Sequence, residues 1–248
     1  MNLSSKENED YRNYYDKKQV NYYVDLVDAP LPKAFLDDKK ALLGKVLKNY
    51  FNGTPKKYLD VACGYGRLTK FFEDKVEMPH GVDVSESMLQ IAKKKCENTR
   101  FYKRDITKNS LKKKFNLITS FRFFVNAQPS LKRNMVKAIR KHIKNGGLFI
   151  FNIHKNKTIP VRLFSWMQKL IYNKKVNMIS KKEVERIIHK QFKIVDCIGM
   201  DYLGFGRITF IKNSFLIGLI INIDRLLRRI LPATWATNVI YISMPVKN

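Results

Sequence analysis

The chain has 248 residues, 45% of them hydrophobic, enough for one well-filled core with elaborations and tight for two independent domains of roughly 100–200 residues each. Lys and Arg number 48 against 21 Asp and Glu, and this formal net charge of +27 raises the expectation of a polyanionic partner, nucleic acid or an acidic membrane surface. The three cysteines, Cys63, Cys96 and Cys197, are odd in number and lack paired short spacing, which argues against a disulfide framework or a zinc site. The basic excess is mostly lysine in short runs such as Lys93 to Lys95 and Lys112 to Lys114, where solvated helix faces or loops are expected, and genome composition explains such usage equally well. The first ten residues lack the apolar stretch of a secretory signal, so the expected setting is the reducing cytoplasm or its membrane surface.

The first thirty residues are polar and tyrosine-rich (Tyr11, Tyr14, Tyr15, Tyr22, Tyr23) and read as helical turns plus loop, punctuated at the end by Pro30 and Pro32. A helical pattern over Ala34–Phe51 follows, with Leu36, Leu42, Leu43, Val46 and Leu47 on one side, closed by Asn52 and Gly53. Residues 1–53 are thus expected to form a helical cap or lid, ahead of a second unit over 54–248. There short apolar runs alternate with helical patterns, the mark of a parallel sheet wrapped by helices. Strands are expected at Lys57–Ala62, Glu77–Val82, Thr99–Lys103, Phe115–Phe121, Leu148–Asn152, Phe192–Gly199 and Val239–Met244. Helices fall near Leu68–Asp74, Ser87–Cys96, Ser130–Lys144 and Lys181–Lys190, the last opened by a capping box of Ser180 and Glu183.

Two segments exceed the alternation, about 154–177 and 200–238, and are expected to carry acceptor specificity. The second contains a helix over Ser214–Leu231, with Arg225, Arg228 and Arg229 on one face. Its uncharged run, Asn213 to Ile223, is shorter than the ~20 residues that span a bilayer, leaving a buried helix, a lid or an interfacial membrane helix.

The stretch Tyr58 to Arg67, Tyr-Leu-Asp-Val-Ala-Cys-Gly-Tyr-Gly-Arg, runs an apolar strand into a glycine turn and a helix. Gly64 and Gly66 remove the Cβ atoms that would hold a ligand off the backbone, and the helix start offers free N–H groups, as in a nucleotide pocket. Asp83, about twenty residues on, ends the second strand, where a carboxylate accepts from ribose hydroxyls. Asp105 ends the third, placed to accept from an adenine amine. Thr69 stands where a dinucleotide fingerprint needs its third glycine, and no Walker lysine is present, so a ribose and adenine carried by a cationic sulfonium suit this edge better than a polyphosphate.

Leu59–Arg67 resembles motif I of class I S-adenosylmethionine-dependent methyltransferases. Gly81–Met88, Arg104-Asp-Ile, Phe115–Ser120 and Lys144–Ile150 resemble the segments that follow it, in the family's order over about residues 40 to 200. The resemblance implies a Rossmann-like, doubly wound α/β fold: a mostly parallel seven-stranded sheet, helices on both faces, an antiparallel last strand. It implies S-adenosyl-L-methionine as cofactor, with Gly64 and Gly66 against its methionyl part, Asp60 supporting the glycine loop and Asp83 on the ribose. Asp105 and Ile106 would flank the adenine with Met88 packed near it, Ala62, Cys63, Val84, Ser120 and Phe121 would complete the cofactor site, and Arg67 would reach the cofactor carboxylate or cap the helix at the surface.

Methyl transfer from a sulfonium asks the protein mainly to align the nucleophile and exclude water. Candidate groups near the acceptor are Arg122 and Asn126 after the fourth strand and His154 after the fifth, the last as a base or a structural hydrogen-bonder. Phe121 to Gln128 lacks the Asn/Asp-Pro-Pro-Tyr/Phe signature of enzymes that methylate amino groups of bases or glutamine. Phe121-Arg-Phe-Phe with Asn152-x-His-x-Asn resembles bacterial small-molecule and glycan methyltransferases more loosely. His80, His142 and His189 read as structural or solvated. Tyr14, Tyr15, Tyr22 and Tyr23 either close over the cofactor or pack. The expected acceptor is a small molecule, sugar or lipid-linked group, with membrane contact through 214–231. The alternatives are an RNA methyltransferase, a polyanion reading without an appended RNA-binding module, and a non-catalytic cofactor-binding protein.

Overall fold

A computed structural model describes residues 17–154, 156, 178–206 and 208–246. Helices α1 (Lys17–Asp28) and α2 (Pro30–Tyr50) lead into β1 (Lys57–Val61), α3 (Arg67–Glu73), β2 (Met78–Asp83), α4 (Glu86–Lys95), β3 (Arg100–Lys103) and β4 (Phe115–Ser120). There follow α5 (Pro129–His142), β5 (Ile143–Ile153), α6 (Lys181–Ile188), β6 (Phe192–Met200), α7 (Ser214–Ile230) and β7 (Asn238–Pro245). The strands form one seven-stranded sheet in the order β3-β2-β1-β4-β5-β7-β6. Pairs among β1 to β5 are parallel, and β7 inserts antiparallel between β5 and β6. The strand order reverses between β1 and β4, which opens a crevice at their carboxyl ends.

Alternation along the strands divides the core into two layers. Leu59, Ile118, Phe149, Phe151 and Tyr241 face α5 and α6 through Leu131, Val136, Ile139, Val184 and Ile188. Tyr58, Leu117, Leu148, Ile150, Ile240 and Ile242 face α2, α3 and α7 through Phe35, Leu43, Phe72, Ile220 and Ile221. This is the doubly wound arrangement expected from the sequence. Helix α2 shares its core with the sheet, so a boundary at residue 53 would cut one hydrophobic layer in two.

Three local expectations differ. Pro30 and Pro32 open α2 instead of closing the segment before it, because a proline costs nothing where the first-turn N–H groups have no intrahelical acceptor. Strand β5 begins at Ile143, five residues early, because Ile143 pairs with Phe115 before the register shift between Phe115 and Leu117. Arg225 and Arg228 turn inward: Arg225 Nε lies 2.8 Å from Asp38 Oδ1, and Arg228 Nη2 lies 2.6 Å from Asp38 Oδ2 and 3.0 Å from Asp224 Oδ2. Arg228 is largely covered, whereas Arg225 keeps about half of its side chain in solvent and Arg229 is exposed. The outer face of α7 instead shows Phe215, Leu216, Leu219, Ile223, Leu226 and Ile230, all exposed and all within one stripe at helical spacing. No helix among the described residues is long and apolar enough to cross a membrane.

Candidate active site

The glycine turn after β1 is built by side chains that brace it from below. Asp60, buried at the middle of the sheet, accepts from Thr69 Oγ1 at 2.7 Å and Thr119 Oγ1 at 2.8 Å, tying α3 and β4 to β1. Burial pushes its carboxyl up to about 6 against the pull of these two hydroxyls. Asp83 accepts from the Gly64 N–H at 2.8 Å through Oδ2 and from the Ser85 N–H at 2.9 Å through Oδ1. It therefore fixes both the glycine turn and the start of α4, where Ser85 Oγ caps the Met88 N–H. Burial raises the Asp83 carboxyl above its usual range, while the Ser85 and Gly64 amides oppose the rise.

The two glycines have different reasons. Gly64, at φ +55, would direct a Cβ toward open space with Met88 Sδ nearest at 4.0 Å, and it lines both cavities described next. Gly66, at φ +79, lines neither: a Cβ there would sit 3.2 Å from Ala92 Cβ and 3.3 Å from its Cα, so this glycine lets α3 approach α4. Gly66→Ala is expected to cost about 2 kcal/mol or more, from the left-handed backbone and the contact with Ala92. A thermal midpoint within 1–2 °C of the parent would contradict that assignment, since about 1 kcal/mol moves the midpoint of a domain this size by roughly 2–4 °C.

Two adjoining cavities open at the carboxyl ends of β1, β2 and β4, sharing Tyr23, Ala62, Gly64, Phe121 and Arg122. The second is mainly apolar, with Val82, Val84, Met88, Ile106 and Phe123 around Asp83 and Asp105. Asp105 Oδ1 is partly committed, accepting from the Thr107 N–H and hydroxyl at 2.9 and 2.6 Å. The first cavity holds Asp60, Cys63, Tyr65, Arg67, Lys39, His154, Asp201 and Asn238. Ala62, Arg122 and Asp201, each just past the end of a strand, have φ of +55, +64 and +57, and all three line this first cavity. Strained backbone held by surrounding structure gathers where function needs a fixed geometry.

Arg122 is held on both sides: its N–H donates to Asn152 Oδ1 at 2.7 Å, and its carbonyl accepts from Asn126 Nδ2 at 2.8 Å. Asn126 lines neither cavity, and its amide holds the Arg122 carbonyl. Ser120 also lines neither, lying buried in β4. Arg67 stands at the start of α3 with Nε 3.5 Å from Asp28 Oδ1, so it is a cavity residue and not a surface cap. His154 is buried at the end of β5 in the first cavity. His142 is structural: its Nε2 accepts from the Leu111 N–H at 2.9 Å and its Nδ1 meets Ala138 O at 2.7 Å. Tyr23 reaches the cavities, Tyr22 is exposed, and Tyr14, Tyr15 and most of the 154–177 segment lie outside the described residues.

Sequence reading missed Lys39 and Asp201. The signal for Lys39 was present: it follows Phe35 by four residues and Leu36 by three and precedes Leu43 by four, so a charge sits within the inward stripe of α2. Its ammonium is lowered from 10.5 to about 7, chiefly by burial and then by Arg67 and Arg122, with Asp201 opposing.

Residues 59–147 match the family described as "Methyltransferase domain". A protein of Geobacillus sp. (strain WCH70) bearing a methyltransferase name is 30% identical over 133 residues, 51% of this chain and 54% of that one. Another from Invertebrate iridescent virus 6, likewise named, is 31% identical over 90 residues, 34% of each chain. The chain therefore spans about half the length of the first of these relatives and about a third of the second. Among solved structures, magnesium protoporphyrin IX methyltransferase from Synechocystis PCC 6803 with bound SAH aligns at a TM-score of 0.67 and 13% identity, over 95% of this chain and 98% of that one. The N-methyltransferase NodS from Bradyrhizobium japonicum WM9, in complex with S-adenosyl-L-homocysteine, aligns at 0.60 and 13%, over 93% and 98%. At such identities the structures speak to fold alone, and the matched sequence supplies the rest. Residues 59–147 match a methyltransferase domain, and the chain shares the fold of these solved methyltransferases.

Proposed function

We propose that this chain transfers a methyl group from S-adenosyl-L-methionine to a small-molecule acceptor. The observation that carries the reading is the pair of joined cavities, one apolar and ending in two carboxylates, the other lined by charged side chains. The residues fit the cofactor. Each Asp83 oxygen already accepts one amide and keeps a lone pair for a ribose hydroxyl. Val84, Met88 and Ile106 supply an apolar slot for a purine, with Asp105 at its end. Gly64 admits the methionyl part, and Arg67 offers a cation to its carboxylate.

When bound, the cofactor supplies an activated methyl: the acceptor's lone pair forms the new bond to carbon as the carbon–sulfur bond breaks, leaving a neutral thioether. The protein aligns and encloses. Phe121 and Tyr23 wall the junction of the two cavities, where the methyl and its acceptor meet, and His154 stands in the acceptor cavity to take the proton of an O–H or N–H nucleophile. Cations gathered in a cavity at the strand ends, in place of a basic groove with exposed aromatic platforms, favour a small acceptor over RNA.

Isothermal titration with S-adenosyl-L-homocysteine tests the cofactor half, and Asp83→Ala is expected to weaken binding at least 100-fold. Methyl-labelled cofactor in host extract tests the acceptor half. Asp83-dependent label in the soluble or lipid fraction supports the reading, whereas label confined to RNA overturns the acceptor class. No binding of S-adenosyl-L-homocysteine at all would overturn the function itself.

The stripe on α7 supports contact with an anionic membrane surface as part of the same reading. Its six exposed apolar residues lie on a strongly basic chain, with Lys212 in phase at one end, Arg229 on the flank, and Phe210 and Trp235 exposed nearby. The protein is expected to sediment with phosphatidylserine vesicles and a Phe215→Ser, Leu226→Ser variant to remain in solution. A concentration-dependent dimer with no vesicle binding would assign the stripe to a second copy.

A further inference from the structure

The first cavity contains more positive charge than its own carboxylates answer. Asp60 is occupied by Thr69 and Thr119, and Asp201 by the Gly206 N–H at 2.9 Å and Thr237 Oγ1 at 2.9 Å. Arg67 has Asp28 near it. Lys39 and Arg122 have no ion pair among the described residues. Lys39 Nζ lies 5.7 Å from the Phe121 ring centre, and the Arg122 guanidinium 5.3 Å from that of Tyr23. Arg122 Nε is buried without a hydrogen-bond partner among the described residues. A cation held this way is costly unless an anion completes it.

The cofactor does not supply that anion. It carries one carboxylate against one ammonium and one sulfonium, so its binding adds a positive charge, and its single carboxylate is answered by Arg67 beside the glycine turn. The stretch from 155 to 177 does not supply it either, since it contains Lys155, Lys157, Arg162, Lys169, Lys174 and Lys175 and neither Asp nor Glu. Around the two cations the walls are apolar: Val27, Phe35, Leu36 and Phe121 line the same cavity.

We propose that the acceptor is an amphipathic oxyanion whose charged head docks between Lys39 and Arg122 and whose apolar body lies against Val27, Phe35, Leu36 and Phe121. This rests on the methyltransferase reading and adds the acceptor's chemical class to it. The charge on the head orients the acceptor, and the fixed backbone of Arg122, gripped by Asn152 and Asn126, keeps that orientation. A carboxylate and a phosphate ester share the chemistry, and the two are separated by the probes.

The test uses the full chain saturated with S-adenosyl-L-homocysteine and titrates it with benzoate, phenyl phosphate and uncharged benzyl alcohol. One of the two anions is expected to bind at least tenfold more tightly than the alcohol, and the tighter one names the head group. Lys39→Met and Arg122→Met are each expected to remove that preference, and in Lys39→Met, which stands outside the cofactor cavity, the affinity for S-adenosyl-L-homocysteine stays within threefold of the parent. Equal binding of alcohol and anions would overturn the proposal. So would a tenfold loss of S-adenosyl-L-homocysteine affinity in Lys39→Met, which would give that cation to the cofactor. Replacing Glu7, Glu9, Asp10 and Asp16 together by Asn is expected to leave anion binding unchanged, and a tenfold gain would show that the chain supplies its own counter-charge. A chain that binds no S-adenosyl-L-homocysteine fails at the earlier step, so the two failures are distinct.

Discussion

Asp38→Ala is expected to lower the unfolding free energy by about 3 kcal/mol, because it leaves the Arg228 guanidinium largely buried with one of its three partners removed. Asp38 is 5% exposed and Arg228 15%, so this pair is weakly screened; Arg225, at 52%, is discounted. Arg228 keeps Asp224 and the Gly199 carbonyl, its Nε lying 2.9 Å from the latter, which is why the loss stays at the low end for a broken buried pair. The network seats α7 on α2, and Asp224 extends it by accepting the Tyr202 N–H at 2.7 Å. Urea unfolding measures the cost. Arg228→Met in the Asp38→Ala background should recover part of it by removing the stranded charge, while Arg229→Met in the parent should leave stability within about 0.5 kcal/mol, as an exposed substitution does. A loss below 1 kcal/mol for Asp38→Ala would mean that α7 is held by Ile220 and Ile221 alone.

The alternation of strands and helices was legible because the central strands are apolar runs buried on both faces, and the helices show their own period. The cofactor side was legible for a related reason: Gly64, Asp83 and Asp105 are carried by strand ends whose order in the chain is also their order at the cavity. The second reason for a glycine at 66 was not legible, because a positive φ and a tight helix contact ask for glycine as strongly as a ligand does. The hold of Asn126 on Arg122 was not legible because a hydrogen bond to a backbone carbonyl leaves no spacing rule. Arg225 and Arg228 read as a basic face because their partner, Asp38, lies 187 and 190 residues away along the chain. Lys39 comes from a helix that packs onto the site from outside the strand ends, so a search along strand termini passes over it.

Lys39→Met is expected to flatten the dependence of stability on pH between about 7 and 10.5. In the parent the folded ammonium has its pKa lowered to about 7, while the unfolded chain titrates near 10.5. Below pH 7 both states bear the proton, and the folded state holds a half-buried charge. Between the two values the folded lysine is neutral while the unfolded one still binds a proton, so stability rises with pH through this window. At about 1.4 kcal/mol per unit of difference, the rise is on the order of 4 kcal/mol. The groups facing Lys39 are Arg67, Arg122, Asp201, Asp60 and His154; Asp60 titrates below the window, at about 6, with the opposite effect, its protonation favouring the folded state as pH falls. Unfolding curves at pH 7, 8, 9 and 10 therefore isolate the lysine by difference between parent and variant. The same linkage bears on the acceptor: an oxyanion between Lys39 and Arg122 restores the proton, so benzoate or phenyl phosphate should bind more weakly as pH rises from 7 to 9 in the parent and with little change in Lys39→Met. Parent and variant with parallel stability curves would mean that the ammonium reaches water in the folded chain, and with it would go the reason for an anion in that cavity.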